Sequence, residues 1–214
     1  MIKYLLFDLD NTLYSCRYGL EDNVSMRIRK FASALLGISQ EEIRQIRKGN
    51  IRRYGTCLEW LMEEKGFTDT ESYMAAIHPA GEADSLKRDD KLRTLLANIP
   101  LPKAILTNSP GEHADLILGK LGIADLFTDV FDIRQNGFKG KPRKDVFDRA
   151  LNKLGVSASE VLFIDDSPHN VEVFISFGGN GLLFDENDVH GNCSLPRIRE
   201  LSQIEKKLGI RSEE

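Results

Sequence analysis

Four short stretches of the chain carry side chains whose types and spacing could do chemistry. The first, Phe7-Asp8-Leu9-Asp10-Asn11-Thr12-Leu13, sets two carboxylates two residues apart behind an apolar run. Like charges this close repel unless a cation lies between them, although Asp and Asn also suit a plain turn. The second, Leu106-Thr107-Asn108-Ser109-Pro110, puts a hydroxyl and an amide ahead of a Ser-Pro helix start. Backbone N–H groups at a helix N-terminus attract phosphate, and the same residues can serve as an ordinary cap. The third, Phe138-Lys139-Gly140-Lys141-Pro142-Arg143-Lys144, is a basic run of the kind that usually faces solvent. Lys141 differs from its neighbours because Pro142 can begin a helix and fix where the lysine points. The fourth, Phe163-Ile164-Asp165-Asp166-Ser167-Pro168-His169-Asn170, ends an apolar run in adjacent acids. A turn explains Ser167 and Pro168 but not two acids closing an apolar strand.

These stretches need elements to position them. Apolar runs at 3–8, 104–107, 129–133 and 161–165, with a fifth at 181–184, suit strands buried on both faces, as in a parallel sheet. Three of them end in Asp or Thr, and open α/β sheets bind ligands at their strand carboxyl ends. Ser109-Pro110-Gly111-Glu112 reads as a capped helix start, with Ala114, Leu116, Ile117 and Leu121 as its apolar stripe and Gly122 as its stop. Ser167-Pro168 repeats the start and Gly178-Gly179 the stop, whereas Ser157-Ala158-Ser159-Glu160 lies too close to a strand and reads as a turn. Strand and helix in alternation predict an α/β sheet with right-handed crossovers. The stretch 15–88 is different: it is helical throughout, with Val24, Ile28, Phe31 and Leu35 on one face. Capping boxes stand at Ser39–Glu42 and Thr56–Glu59, and Gly66 is a stop. The tail at 211–214 reads as frayed.

Composition excludes several classes. The chain has 214 residues, enough for one large domain or two small ones. With 29 basic and 33 acidic residues the net charge is −4, so a general nucleic-acid binder, which needs a basic footprint, is not expected. No apolar run approaches the roughly 20 residues a bilayer demands. The N-terminal apolar run is interrupted too early by carboxylates for a signal peptide. Cys16, Cys57 and Cys193 suggest neither a disulfide framework nor zinc spacing, so a cytoplasmic location is expected.

Taken in order, Asp-x-Asp-x-Thr, Thr-Asn, Lys-Pro and Asp-Asp, each at a strand end, resemble the haloacid dehalogenase superfamily of phosphohydrolases. The core resemblance covers roughly 2–12 and 91–184, and the helical insert resembles that superfamily's type-1 cap. It implies an α/β fold: a Rossmann-like parallel sheet from 1–14 and 89–214, with a small all-helical cap at 15–88. It implies a phosphomonoesterase working on a small phosphorylated metabolite through an aspartyl-phosphate. Asp8 would be the nucleophile and Asp10 the general acid, then the base that activates water. Mg²⁺ would bind the Asp8 carboxylate, the Asp10 backbone carbonyl and Asp166, with Asp165 a direct or supporting ligand. Thr107 and the Asn108 backbone would hold phosphate oxygens, and Lys141 would neutralise Asp8 and the phosphate, with Lys139 as the fallback. Where many relatives carry a further Asp, this chain has Asn170.

Arg53-Tyr54-Gly55-Thr56, Ile77-His78, the 101–108 run and Glu112-His113-Ala114 further resemble the pyrimidine 5′-nucleotidase branch. That likeness implies a nucleoside 5′-monophosphate as substrate, with Arg53, Tyr54 and Tyr18 on the inner face of the cap, while Tyr14, Tyr18 and Tyr54 could stack on a base or line the entrance. Tyr54 and Trp60 could equally pack the cap, and His78 could be a loop hydrogen-bonder. The stretch after His78, Pro79-Ala80-Gly81-Glu82, departs from the branch. Alternatives sharing the core residues are a sugar-phosphate or phosphoglycolate-type phosphatase, a phosphomutase, or a regulatory domain that keeps the fold.

Overall fold

The structure is a computed structural model and describes residues 1–50 and 53–209; the tail at 211–214 lies outside the described residues. Strand β1 (Tyr4–Phe7) buries Leu5, Leu6 and Phe7 in succession, which requires cover on both faces. It is joined by β2 (Lys103–Leu106), β3 (Asp129–Phe131), β4 (Val161–Asp165), β5 (Asn180–Phe184) and β6 (Arg197–Ile198). All neighbours pair in parallel, in the order β3-β2-β1-β4-β5-β6. The two-residue β6 has no apolar run to announce it, and only its pairing with β5 makes it a strand.

Four helices follow β1: α1 (Leu20–Leu36), α2 (Gln40–Asn50), α3 (Cys57–Lys65) and α4 (Thr70–Ile77). The later helices are α5 (Asp90–Asn98), α6 (Gly111–Leu121), α7 (Lys144–Leu154), α8 (Pro168–Ser176) and α9 (Gln203–Leu208). Alternation along the strands sorts the core into two layers. Leu5, Phe7, Ile105 and Ile164 pack against Leu96 of α5 and Ile117 of α6. Leu6, Leu106, Phe131 and Phe163 meet Phe147 of α7 and Phe174 of α8 on the other face. The cap helices hold a third cluster of their own around Leu58, Leu61, Tyr73 and Ile43, which reaches Ile133 beyond β3.

Among the described residues, 15–88 contains no strand, in keeping with its helical spacing. Ser39 and Glu42 exchange both bonds of a capping box, the kind of cap worth about 1 kcal/mol. The α1 stripe is shifted by one position: Leu35 stays 43% exposed, and Leu36 packs instead. The stretch 158–160 is a 3-10 turn with a full capping box. Two helix starts differ from the sequence reading. α6 begins at Gly111 with Pro110 as its cap, so Ser109 is freed from capping. α7 begins at Lys144 behind Arg143, so Pro142 does not open it.

β1 is the centre of the arrangement, with β2 on one side and β4 on the other. Phe7 is level with Ile105 and with Ile164, so the residues that follow leave the sheet at one end. Asp8, Thr107 and Asp165 are thereby brought together where the strand order reverses, the position at which open α/β sheets bind ligands.

Candidate active site

Asp8 is held at the end of β1 by its N–H, which donates to the Ile164 carbonyl at 2.8 Å. The next residues turn sharply through Asn11, whose φ of 57° is left-handed and suits Asn better than most residues. The turn returns Thr12, whose hydroxyl donates to Asp8 Oδ2 at 3.0 Å. The other Asp8 oxygen accepts from Lys141 Nζ at 2.5 Å, and the same ammonium donates to Asp165 Oδ2 at 2.7 Å. Lys141 is 2% exposed, so this bridge is shielded from solvent. Burial would lower Lys141, but Asp165 and Asp8 raise it above its ordinary value and keep it charged. Lys139 is elsewhere, paired with Asp145 at 3.2 Å.

One ammonium does not balance the acids around it. Asp8, Asp165 and Asp166 converge, with one oxygen of each within 4.8 Å of the others. Burial pushes Asp8 up to about 7, with Lys141 opposing and Asp165 and Asp10 adding to the rise. Burial and the charges of Asp8 and Asp165 push Asp166 up to about 8. The two adjacent acids differ in what occupies them. Asp165 is fully buried and accepts from Lys141, from the Ser167 N–H at 2.8 Å and from Asn170 Nδ2 at 3.0 Å. Asp166 is half-buried and lines the cleft. Crowded carboxylate oxygens carrying excess negative charge fit a hard divalent cation.

Asp10 is oriented by a separate set of partners. Tyr14 OH donates to Oδ1 at 2.6 Å, Ser109 Oγ donates to Oδ2 at 2.8 Å, and His113 Nε2 lies 2.7 Å from Oδ1. Burial alone would raise its pKa, but the His113 charge and these bonds lower it well below the usual carboxylate range. His113 is itself clamped, since its Nδ1 lies 2.6 Å from Glu82 Oε1. Burial opposes the charge on His113, yet Asp10 and Glu82 together raise it to about 10.

The Thr-Asn segment at the end of β2 is held as tightly. Thr107 is buried, and its Oγ1 accepts from the Ser109 N–H at 3.0 Å; it is not among the residues lining the cleft. Asn108 lines the cleft and grips the lysine loop, with Oδ1 accepting from the Lys141 N–H at 2.7 Å.

The cleft above these groups has a volume of about 330 Å³, within the range of small-molecule sites. From the cap it is lined by Val24, Ile28 and Met74, together with the charged Glu21 and Arg47. Burial and the charges of Asp10 and Asp166 raise Glu21 to about 8.

The structure does not bring Arg53, Tyr54 and Tyr18 into this cleft. Arg53 is ion-paired with Glu64 at 3.1 Å, and Tyr54 OH donates to the same carboxylate at 2.5 Å. Glu64 satisfies both residues within the cap, and Tyr54 borders a neighbouring cavity with Lys48 and Trp60. Tyr18 is 42% exposed beside Tyr14. Tyr14 is buried against Asp10 rather than open to an entrance. Trp60 packs in the cap and His78 is a hydrogen-bonder, its Nδ1 3.0 Å from Glu82.

Sequence reasoning therefore missed Ser109, Tyr14, His113 and Glu82 as partners of the carboxylates, and Glu21 and Arg47 as cleft walls. No local signal marks them: Ser109 precedes the helix that carries His113, and its hydroxyl reaches Asp10 across 99 residues.

A parallel sheet with an acid pair at its central strand, a lysine bridge and a helical cap defines a class of hydrolase. The chain belongs to that family: the family model for haloacid dehalogenase-like hydrolases matches residues 2–178. It is 30% identical over 190 residues to phosphate metabolism protein 8 of Saccharomyces cerevisiae, covering 82% of this chain but only 59% of the yeast protein. It is 27% identical over 179 residues to phosphoglycolate phosphatase of Pectobacterium atrosepticum, covering 80% and 75% of the two chains. A magnesium-bound HAD hydrolase structure from Bacillus subtilis superposes with a TM-score of 0.63, at 18% identity, over 98% of this chain and 99% of the other. No helix among the described residues is long and apolar enough to cross a membrane.

Proposed function

We propose that the protein hydrolyses a small phosphate monoester by phosphoryl transfer to Asp8. The observation that carries the reading is the Lys141 ammonium bridging Asp8 and Asp165, while Asp10 is oriented apart by Tyr14, Ser109 and His113. Asp8 attacks phosphorus, the ester P–O bond breaks, and Asp10, ionised in the free protein and protonated as the anionic ester binds beside it, gives that proton to the departing oxygen. Asp10 then takes a proton from the water that attacks the aspartyl-phosphate, which releases phosphate and restores Asp8. Lys141 offsets the charge that gathers on the transferring group. The Asn108 backbone, at the cleft wall, would hold phosphate oxygens, and the Thr107 hydroxyl behind it, which accepts from the Ser109 N–H, would join it only if its free proton turns toward the phosphate. Asp8, Asp166 and the Asp10 carbonyl would hold Mg²⁺, which supplies charge neutralisation for phosphoryl transfer. Asp165 fits a supporting role because its oxygens already serve Lys141, Ser167 and Asn170.

For substrate, we infer a pyrimidine nucleoside 5′-monophosphate as the first candidate. With Arg53 and Tyr54 outside the cleft, the residues available to read the nucleoside are Glu21 and Arg47. A carboxylate and a guanidinium together match the donors and acceptors of a ribose diol or a pyrimidine edge. Two relatives are phosphatases by name, one of phosphoglycolate and one of glyceraldehyde 3-phosphate, which supports the activity and leaves the ester open.

The test is hydrolysis of an aryl phosphate, with and without Mg²⁺, followed by a panel of nucleoside, sugar and glycolate phosphates. Asp8→Asn is expected to lose at least about 10³-fold in turnover while staying folded. Near-wild-type turnover in that variant overturns the mechanism, and sugar phosphates outperforming uridine and cytidine monophosphates overturns the substrate reading.

A further inference from the structure

The Asp10 partners lead away from the cleft into the segment that returns the chain from cap to core. His113 stands between two carboxylates, Asp10 of the β1 turn and Glu82 of the return segment, at 2.7 and 2.6 Å. Glu82 is held in turn by two cap residues. His78, at the end of α4, reaches it at 3.0 Å, and Arg27 of α1 reaches it at 3.3 Å while also donating to the Ile77 carbonyl at 3.1 Å. The side chains of His113 and Glu82 are 0% and 3% exposed, so water cannot replace either partner cheaply. The rings of His78 and His113 are 4.4 Å apart, which leaves little slack in the chain of contacts.

We infer that His113 is a positioning residue that ties the orientation of Asp10 to the seating of the cap, through Glu82. The inference rests on the reading of Asp10 as the leaving-group acid. When the cap is seated, Arg27 and His78 fix Glu82, Glu82 fixes the His113 ring, and the ring fixes Asp10 Oδ1. When α1 and α4 move away, Glu82 loses its cap partners and the ring loses its anchor. Proton delivery to the leaving group is then tied to the closed cleft, where the released alkoxide is shielded from water.

The two ring nitrogens can be separated by substitution. Gln at this position reaches as far as Nε2 and keeps a donor for Asp10, while Asn reaches only as far as Nδ1 and keeps a partner for Glu82. His113→Asn is expected to slow an alkyl phosphate at least about tenfold more than an aryl phosphate, whose leaving group needs little protonation. Its amide hydrogen exchange over residues 79–88 should stay near wild type. His113→Gln and Glu82→Gln weaken the link to the cap instead, so exchange over 79–88 should rise and KM increase, and the alkyl ester should still lose at least about threefold more than the aryl ester because the group that holds Asp10 has lost its anchor. Equal losses on both esters in His113→Asn and His113→Gln, with the same exchange pattern, would overturn the inference. If the wild-type chain hydrolyses no phosphate ester, the hydrolase reading fails on its own. The exchange contrast between the two variants still decides whether His113 joins the two segments.

Discussion

Gly55 of the cap and Gly140 of the core lie backbone against backbone, so close that a Cβ on Gly55 would overlap the Gly140 carbonyl. The same contact is closed by Glu59 of α3, which accepts from the Gly55 N–H at 2.9 Å and from Arg143 of the lysine loop. Lys141 therefore rides on a loop that the cap touches directly. Gly55→Ala should force the two segments apart and destabilise the fold by about 1–3 kcal/mol, the usual scale for overpacking. Denaturant melts should register the loss and kcat/KM should fall with it. A variant with unchanged stability and activity would show that the close approach is not needed.

Lys141 faces Asp8 and Asp165 with its own side chain only 2% exposed. Lys141→Met removes the only cation from that contact and leaves two acids opposed. The expected destabilisation is about 3 kcal/mol, as for other buried pairs broken at one partner. Adding Asp8→Asn should recover part of it, because one of the opposed charges is then gone. A double-mutant cycle measures this directly, and strictly additive losses would contradict the bridge.

Protonation should shape the stability of the metal-free protein in a definite direction. Asp8 at about 7 and Asp166 at about 8 hold protons more tightly folded than unfolded. Their contribution is full below the ordinary carboxylate pKa and is lost as pH rises through about 7 to 8. His113, raised to about 10, loses its contribution in the same direction at higher pH. Glu82, lowered to about 2 by His113 and His78 against the effect of burial, has the opposite sense and loses stability only as pH falls. In chelator, Tm should therefore be highest near about pH 5 and decline toward pH 8.5. Added Mg²⁺ competes with the same protons, so it should raise Tm more at pH 8 than at pH 6. A metal-free Tm that climbs across this window would contradict the assignment.

What the sequence made legible follows from how local each signal is. The strands at 161–165 and 4–7 are continuous apolar runs, and the acids that end them mark the site without any knowledge of pairing. Whether Lys139 or Lys141 enters the site depends on contacts between residues 24 or more apart in the chain, and Asp165 rather than Asp166 is occupied by Lys141 together with its near neighbours Ser167 and Asn170. Ser109 looked like a cap because Ser before Pro usually is one. The Asp10 carboxylate, 99 residues earlier, took its hydroxyl instead. Arg53 and Tyr54 read as substrate contacts from a local motif, but Glu64, on the helix that follows, already satisfies both.

The last prediction separates the cap residues that face the cleft from those that do not. Glu21 and Arg47 line the cleft, and Arg47 donates to the Ser25 hydroxyl at 3.1 Å, with no carboxylate paired to it among the described residues. Arg53 is 72% exposed at its side chain and already paired. Arg47→Ala and Glu21→Ala should raise KM for the best nucleoside or sugar phosphate by about tenfold, the loss of one or two hydrogen bonds. Neither change should matter as much for a small aryl phosphate, which makes few contacts beyond phosphorus. Arg53→Ala and Tyr54→Phe should leave KM for every ester within about twofold, because surface ion pairs contribute little. Steady-state kinetics on one physiological ester and one aryl phosphate is sufficient. A KM rise confined to the Arg53 and Tyr54 variants would return substrate recognition to that side of the cap and remove Glu21 and Arg47 from it.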